Sequence, residues 1–102
     1  MNSGESHKVI VAKDLEDLIP VFMGNRRKEV DALRDALAAD NFDQLRQLGH
    51  RMRGVGSSYG FNRVSVFGAR IEEGARSGDR VAIENCVAEY SEYLARVQIS
   101  YE

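Results

Sequence analysis

An all-α domain, folded as an antiparallel up-down four-helix bundle behind a short N-terminal lead-in, is what this sequence predicts. Three observations carry that reading. Four stretches repeat apolar residues at three- and four-residue steps, the spacing that lines one face of an α-helix. Turn and cap signals separate them by only a few residues, which sets successive helices side by side. No segment alternates convincingly with the two-residue period of a half-buried strand. A chain of 102 residues suffices for one compact domain that buries roughly two thirds of the surface exposed when unfolded. Residues 1–13 are read as the lead-in and 14–102 as the bundle.

The elements follow in order. The first eight residues are polar, and Val9-Ile10-Val11-Ala12 is a short apolar run of ambiguous structure, an extended lead-in or an extra turn. Asp14, with Asp17 three residues on, reads as an N-cap with acid in the first turn, where the macrodipole favours it. The helix so opened carries Leu15, Leu18, Ile19, Phe22, Met23, Val30, Leu33 and Leu37 to about Ala39. Pro20 lies about two turns in and predicts a kink or break near Ile19, because proline lacks a donor and crowds the preceding turn.

Asn41 with Gln44 three residues on is a variant capping box. Leu45, Leu48, Met52, Val55 and Tyr59 then form one stripe, and Gly60 stands where a left-handed cap belongs, so the second helix spans Phe42 to Tyr59. A third helix, from Asn62 to about Arg76, presents Val64, Phe67, Ile71 and Ala75 before the turn Ser77-Gly78-Asp79. The fourth begins near Asp79 and carries Ile83, Cys86, Val87, Tyr90, Leu94 and Val97.

Composition narrows the functional classes. Hydrophobic residues make up 43% and charged residues 29%, the balance of an ordinary folded domain. Net charge is −2, so nothing in the overall field favours nucleic acid or an anionic membrane, and a partner is recognised by a local surface. One cysteine, Cys86, excludes an internal disulfide, and two histidines, His7 and His50, leave no zinc-ligand set. No apolar run approaches the roughly 18 residues of a membrane span, and the first residues lack the apolar core of a signal peptide. A cytoplasmic location is expected. Met1 and the absence of a linker favour a free-standing protein, with monomer as the expected state.

One stretch departs from good helix chemistry: Gly49-His50-Arg51-Met52-Arg53-Gly54-Val55-Gly56-Ser57-Ser58-Tyr59-Gly60. At about 100° per residue, Leu48, Gly49, Met52, Gly56 and Tyr59 fall within roughly 60° of Leu45, and His50 falls near 140°, on the exposed side. Asp43, Gln47, Gly54 and Ser57 lie near it, with Arg46 and Arg53 on its flank. Each glycine within a helix costs roughly 1 kcal/mol relative to alanine. Gly49 and Gly56 have a packing reason, the close approach of another helix. Gly54 does not, and one turn after His50 it clears space beside the imidazole for something bulky.

Arg53 brings a fixed charge and five donors alongside the ring, equipment for holding phosphate oxygens. A water-exposed imidazole at neutral pH keeps a lone pair on one ring nitrogen and can attack phosphorus without a separate base. His50 is therefore the candidate carrier of a phosphoryl group. No cluster of acids could hold the metal that such transfer needs, so a partner must bring the magnesium.

These residues resemble the histidine-containing phosphotransfer (HPt) domains of bacterial multistep phosphorelays. The family pattern is a histidine, any residue, an apolar residue, a lysine or arginine, a glycine, two positions later a small residue, and a glycine four further on. Here it reads His50, Arg51, Met52, Arg53, Gly54, Val55, Gly56 and Gly60, with Ile71-Glu72 matching the apolar-acidic end of the following helix. The resemblance spans about Asp14 to Val97. It implies His50 as phosphoacceptor, Arg53 as the residue that steadies the phosphoryl group, and Gly54 as clearance for the partner, with Arg46, Gln47 and Ser57 on the docking face.

By the same resemblance the domain is an intermediate, not a kinase. It takes phosphate from the aspartyl phosphate of one response-regulator receiver domain, that of a hybrid sensor kinase among the candidates, and passes it to another. It needs no cofactor of its own. Two departures are visible: the basic position is more often lysine, and the small position is often serine or alanine, so Gly56 points to packing.

Rival readings remain. Gly54-Val55-Gly56 followed by Gly60 superficially matches a phosphate-cradling loop, but the last interval is one residue too long and no strand precedes it. A sensor-kinase dimerisation domain uses a two-helix hairpin before a catalytic domain. A helical adapter that binds a signalling partner without phosphotransfer is the main alternative. Elsewhere, Arg26-Arg27-Lys28 reads as a solvated helix face, Cys86 as core, and His7 as part of a mobile terminus without a role.

Overall fold

The polypeptide punctuates itself where backbone chemistry requires. The computed structural model describes residues 7–102. A strand β1 (Lys8–Val11) leads through a 3₁₀ helix (Lys13–Leu18) into α1 (Ile19–Ala38), followed by α2 (Phe42–Tyr59), α3 (Asn62–Ser77), α4 (Arg80–Arg96) and a closing strand β2 (Gln98–Tyr101). The four helices pack as an all-α bundle. Asn41 caps α2 by accepting from the amide of Gln44 at 3.1 Å, and Asp79 caps α4 by accepting from that of Ala82 at 3.1 Å. Gly60 and Gly78 end α2 and α3 in the left-handed conformation, φ 83° and 68°, which glycine adopts without a Cβ penalty.

The start of α1 differs from the sequence expectation. Asp14 does not cap an α-helix: it lies in the first turn of the 3₁₀ helix, whose N-cap is Ala12 with no side-chain cap. The α-helix opens at Ile19, with Pro20 in its first turn. Proline is tolerated there because its missing N–H would be unpaired anyway, so Pro20 begins α1 and does not kink it.

The second correction is the pair of strands. β1 and β2 run parallel, with Val9 opposite Ile99 and Val11 opposite Tyr101. The amide of Glu102 donates to the Val11 carbonyl at 3.1 Å and that of Lys13 to the Glu102 carbonyl at 3.0 Å. The lead-in is thereby tied to the other end of the described chain, and the ring of His7 stacks on Tyr93 at 5.9 Å.

Tyr90, Tyr93, Phe61, Phe67, Leu33, Leu45, Met52, Ile71 and Ile83 are fully buried at the centre; each large apolar side chain so placed contributes about 1.5–3 kcal/mol. Cys86 is in this core, where burial pushes its thiol up to about 11. Arg26 leaves the solvated face expected for it. Its guanidinium lies 4.9 Å over the Phe22 ring and its Nε 3.1 Å from Glu29, while Glu29 also accepts from the Tyr90 hydroxyl at 2.8 Å. Arg27 and Lys28 are exposed.

Candidate functional site

Glycine brings α2 and α3 unusually close. A Cβ built on Gly49 would stand 2.7 Å from both the Gly68 carbonyl oxygen and the Glu72 amide nitrogen. One built on Gly68 would stand 2.6 Å from the Gly49 carbonyl oxygen, and one on Gly56 would stand 2.7 Å from the Ser65 amide nitrogen. No other residue fits these positions without moving backbone. Leu45, Leu48, Gly49, Met52 and Gly56 are the buried residues of α2, as the wheel predicts, and Tyr59 is half-buried with its ring stacked on Phe22 at 4.6 Å.

The opposite side of α2 holds His50, whose side chain is 70% exposed. Its Nδ1 lies 3.3 Å from Oε2 of Glu72, a side chain only 4% exposed. An ionised carboxylate can only accept, so this contact puts the proton on Nδ1 and leaves the lone pair on Nε2. Arg53 Nη1 donates to Glu72 Oε1 at 2.7 Å and Arg76 Nη2 to Oε2 at 3.1 Å. The Arg53 hydrogen bond, and after it the His50 contact and the charges of Arg53 and Arg76, outweigh burial and hold the Glu72 carboxyl below the usual carboxylate range. The site therefore contains a buried anion with three donors around it.

His50, Arg53, Gly54, Ser57 and Ser65 line an open concavity of about 450 Å³. A Cβ on Gly54 would meet nothing within 4 Å, so this glycine has no packing role. Ser65 donates to the Arg53 carbonyl at 2.7 Å; its hydroxyl proton being so used, Ser57 is the donor in the 3.0 Å contact between the two hydroxyls. Of the residues singled out from sequence, His50, Arg53, Gly54 and Ser57 thus come together. Arg46 and Gln47 do not line the concavity. They are held one turn before His50 by Asp43, to which they donate at 3.1 and 3.0 Å.

Sequence reasoning assigned no role to Glu72, Ser65 or Arg76. Glu72 had a readable signal, its place four residues after Gly68 at the edge of the apolar face of α3. Ser65 matters only through its contacts with Ser57 and Arg53 across the α2–α3 interface, and Arg76 only through its ion pair with buried Glu72 on its own helix. Among the described residues, no three His, Cys, Asp or Glu side chains gather to hold a metal ion, and no helix is long and apolar enough to cross a membrane.

Comparison with known proteins agrees with this geometry. The family model described as Hpt domain matches residues 17–99. No curated protein and no solved structure shows a significant match.

Proposed function

The chain belongs to the Hpt domain family, and on that premise we propose that His50 accepts a phosphoryl group from the aspartyl phosphate of one receiver domain and passes it to another. Domains of this family carry phosphoryl groups on histidine in phosphorelay signalling, without kinase activity. The observation that carries the assignment is the exposed His50 ring with its Nδ1 on buried Glu72. That contact orients the ring and leaves Nε2 as the nucleophile.

The step is a balanced exchange. The Nε2 lone pair forms an N–P bond as the P–O bond to the aspartate breaks, and the carboxylate leaves with that electron pair. The Nδ1 proton stays in place, so the phosphorylated ring is positively charged beside the Glu72 anion. Glu72 is held below the usual carboxylate range and so does not compete for that proton at neutral pH. Arg53, three residues from His50, is within reach of the phosphoryl oxygens. Gly54 leaves room for the receiver, and Arg46, Gln47 and Ser57 form the rim it meets. Magnesium in the receiver's acidic pocket would neutralise charge on the transferring group.

The test mixes the purified protein with receivers carrying labelled aspartyl phosphate, then adds a second, unlabelled receiver. Label should appear on the wild-type chain and move on, and His50→Gln should take none while still binding. Receiver binding with no label on the wild type would contradict the reading and favour an adapter.

A further inference from the structure

We propose that Arg76 is the resident counter-ion of Glu72, and that its presence is what frees Arg53 to leave that carboxylate and follow the phosphoryl group. The inference rests on His50 as phosphoacceptor and concerns a residue that does not touch it. The phosphoryl group sits on Nε2, the ring nitrogen away from Glu72, so an Arg53 guanidinium drawn to it loosens its contact with that carboxylate. In the structure its Nη1 is committed to Glu72 Oε1 at 2.7 Å, whereas holding a phosphoryl group on His50 requires the guanidinium to turn outward.

Were Arg53 the sole arginine at Glu72, its departure would leave a carboxylate that is 4% exposed with the phosphorylated His50 ring as its one remaining cation, and a poorly compensated buried charge is destabilising. Arg76 removes that obstacle. It donates to the other oxygen, Oε2, at 3.1 Å, from one turn further along the same helix, the spacing at which such pairs meet. The two arginines therefore do not compete for one oxygen. Arg76 has a second acidic neighbour, Glu73, at 3.6 Å, but that side chain is 73% exposed and contributes little. Both arginines are about half exposed, 50% and 56%, so each can swing without repacking the core. Arg76 is thus a positioning residue. It acts on the phosphoryl group only by releasing Arg53.

A small phosphoramidate salt serves as donor, so no receiver is involved: an N–P bond forms at Nε2 while the donor's P–N bond breaks and ammonia leaves with its electron pair. Two readouts are taken, the ¹⁵N resonances of the Arg53 and Arg76 guanidinium groups and the half-life of the phosphohistidine. On phosphorylation of the wild type, the Arg53 resonances should shift and those of Arg76 should stay. Arg53→Ala should shorten the half-life about tenfold, the loss of one charge-assisted contact. Arg76→Gln should shorten it comparably, the double variant should be no shorter-lived than either single one, and Arg76→Lys should restore most of it.

A wild-type half-life in Arg76→Gln, or effects of the two changes that multiply, would overturn the inference while leaving His50 as acceptor. Failure of the wild type to take label would overturn both. Should Arg76→Gln not fold, the wild-type spectrum decides alone, and Arg53 resonances that do not move on phosphorylation would contradict the proposal.

Discussion

The Glu72 carboxylate of α3 accepts from Nδ1 of His50 on α2 across 3.3 Å, and glycine is what lets it reach. Gly49 immediately precedes the histidine and Gly68 lies one turn before the glutamate. Each presents bare backbone to the other, with no room for a Cβ. The two helices meet so closely that a short acidic side chain, buried at its base, touches a ring on the outer side of its neighbour.

Gly49→Ala should separate α2 from α3. The added methyl would sit 2.7 Å from backbone atoms, and overpacking of this kind costs about 1–3 kcal/mol. Gly54→Ala should change stability in the other direction, by up to about 1 kcal/mol, because nothing lies within 4 Å and alanine is the better helix former. Denaturant unfolding of both variants gives the two signs directly.

Gly54→Leu and Arg53→Ala should fail differently. Leucine keeps or raises stability but holds the receiver away from in-line geometry, where about 1 Å costs roughly a hundredfold in transfer; binding and transfer both fall. Removing the Arg53 side chain should leave binding largely intact, slow the transfer and shorten the life of the phosphorylated form. Receiver titration and single-turnover transfer separate the two outcomes, and native transfer rates in Gly54→Leu would refute the clearance argument.

Glu72 should contribute to acid sensitivity. Its carboxyl is lower in the fold than its ordinary value of 4.5, so the stability it supplies is fully present above that pH and is lost as pH falls through the folded-state value. Glu72→Gln should therefore be less stable than wild type near neutrality, with the difference shrinking in acid. A gap that stays constant from pH 7 to pH 3 would contradict this.

Glu29 should act in the opposite sense. Burial raises it from 4.5 against the lowering effects of Tyr90, Arg26 and Arg51, so the fold favours its protonated form, and the associated stability is lost as pH rises through the folded-state value. Glu29→Gln keeps an acceptor for the Tyr90 hydroxyl. Relative to wild type it should gain stability above pH 4.5 and lose that advantage below it, as thermal unfolding across the pH range will show.

What could be read before the structure follows from locality. Helices α2 to α4 announce themselves through apolar spacing, caps at Asn41 and Asp79, and glycines at their ends, all signals within a few residues. The exposed placement of His50 and the emptiness beside Gly54 need only the helical repeat. The apolar run Val9-Ile10-Val11 allows an extended lead-in, but nothing in it names residues 98–101 as the partner of 8–11, a pairing between segments far apart in the chain. Asp14 mimics a cap and so points to Pro20 two turns into a helix, whereas a 3₁₀ turn satisfies that stretch and passes the helix start to the proline. Glu72 carries a signal in its spacing from Gly68, but its burial and its contact with His50 emerge only when Gly49 and Gly68 bring the backbones together. Arg76 gains significance only from that burial.

The most direct measurement is the chemical state of the His50 ring after phosphorylation by a labelled receiver. A single phosphoryl group should be found on Nε2 of His50, stable to base and labile to acid, with the Nδ1 proton retained, and His50→Gln should carry no label while keeping the helix content and melting temperature of wild type. Label that persists in His50→Gln, or that sits on Nδ1, would contradict the account.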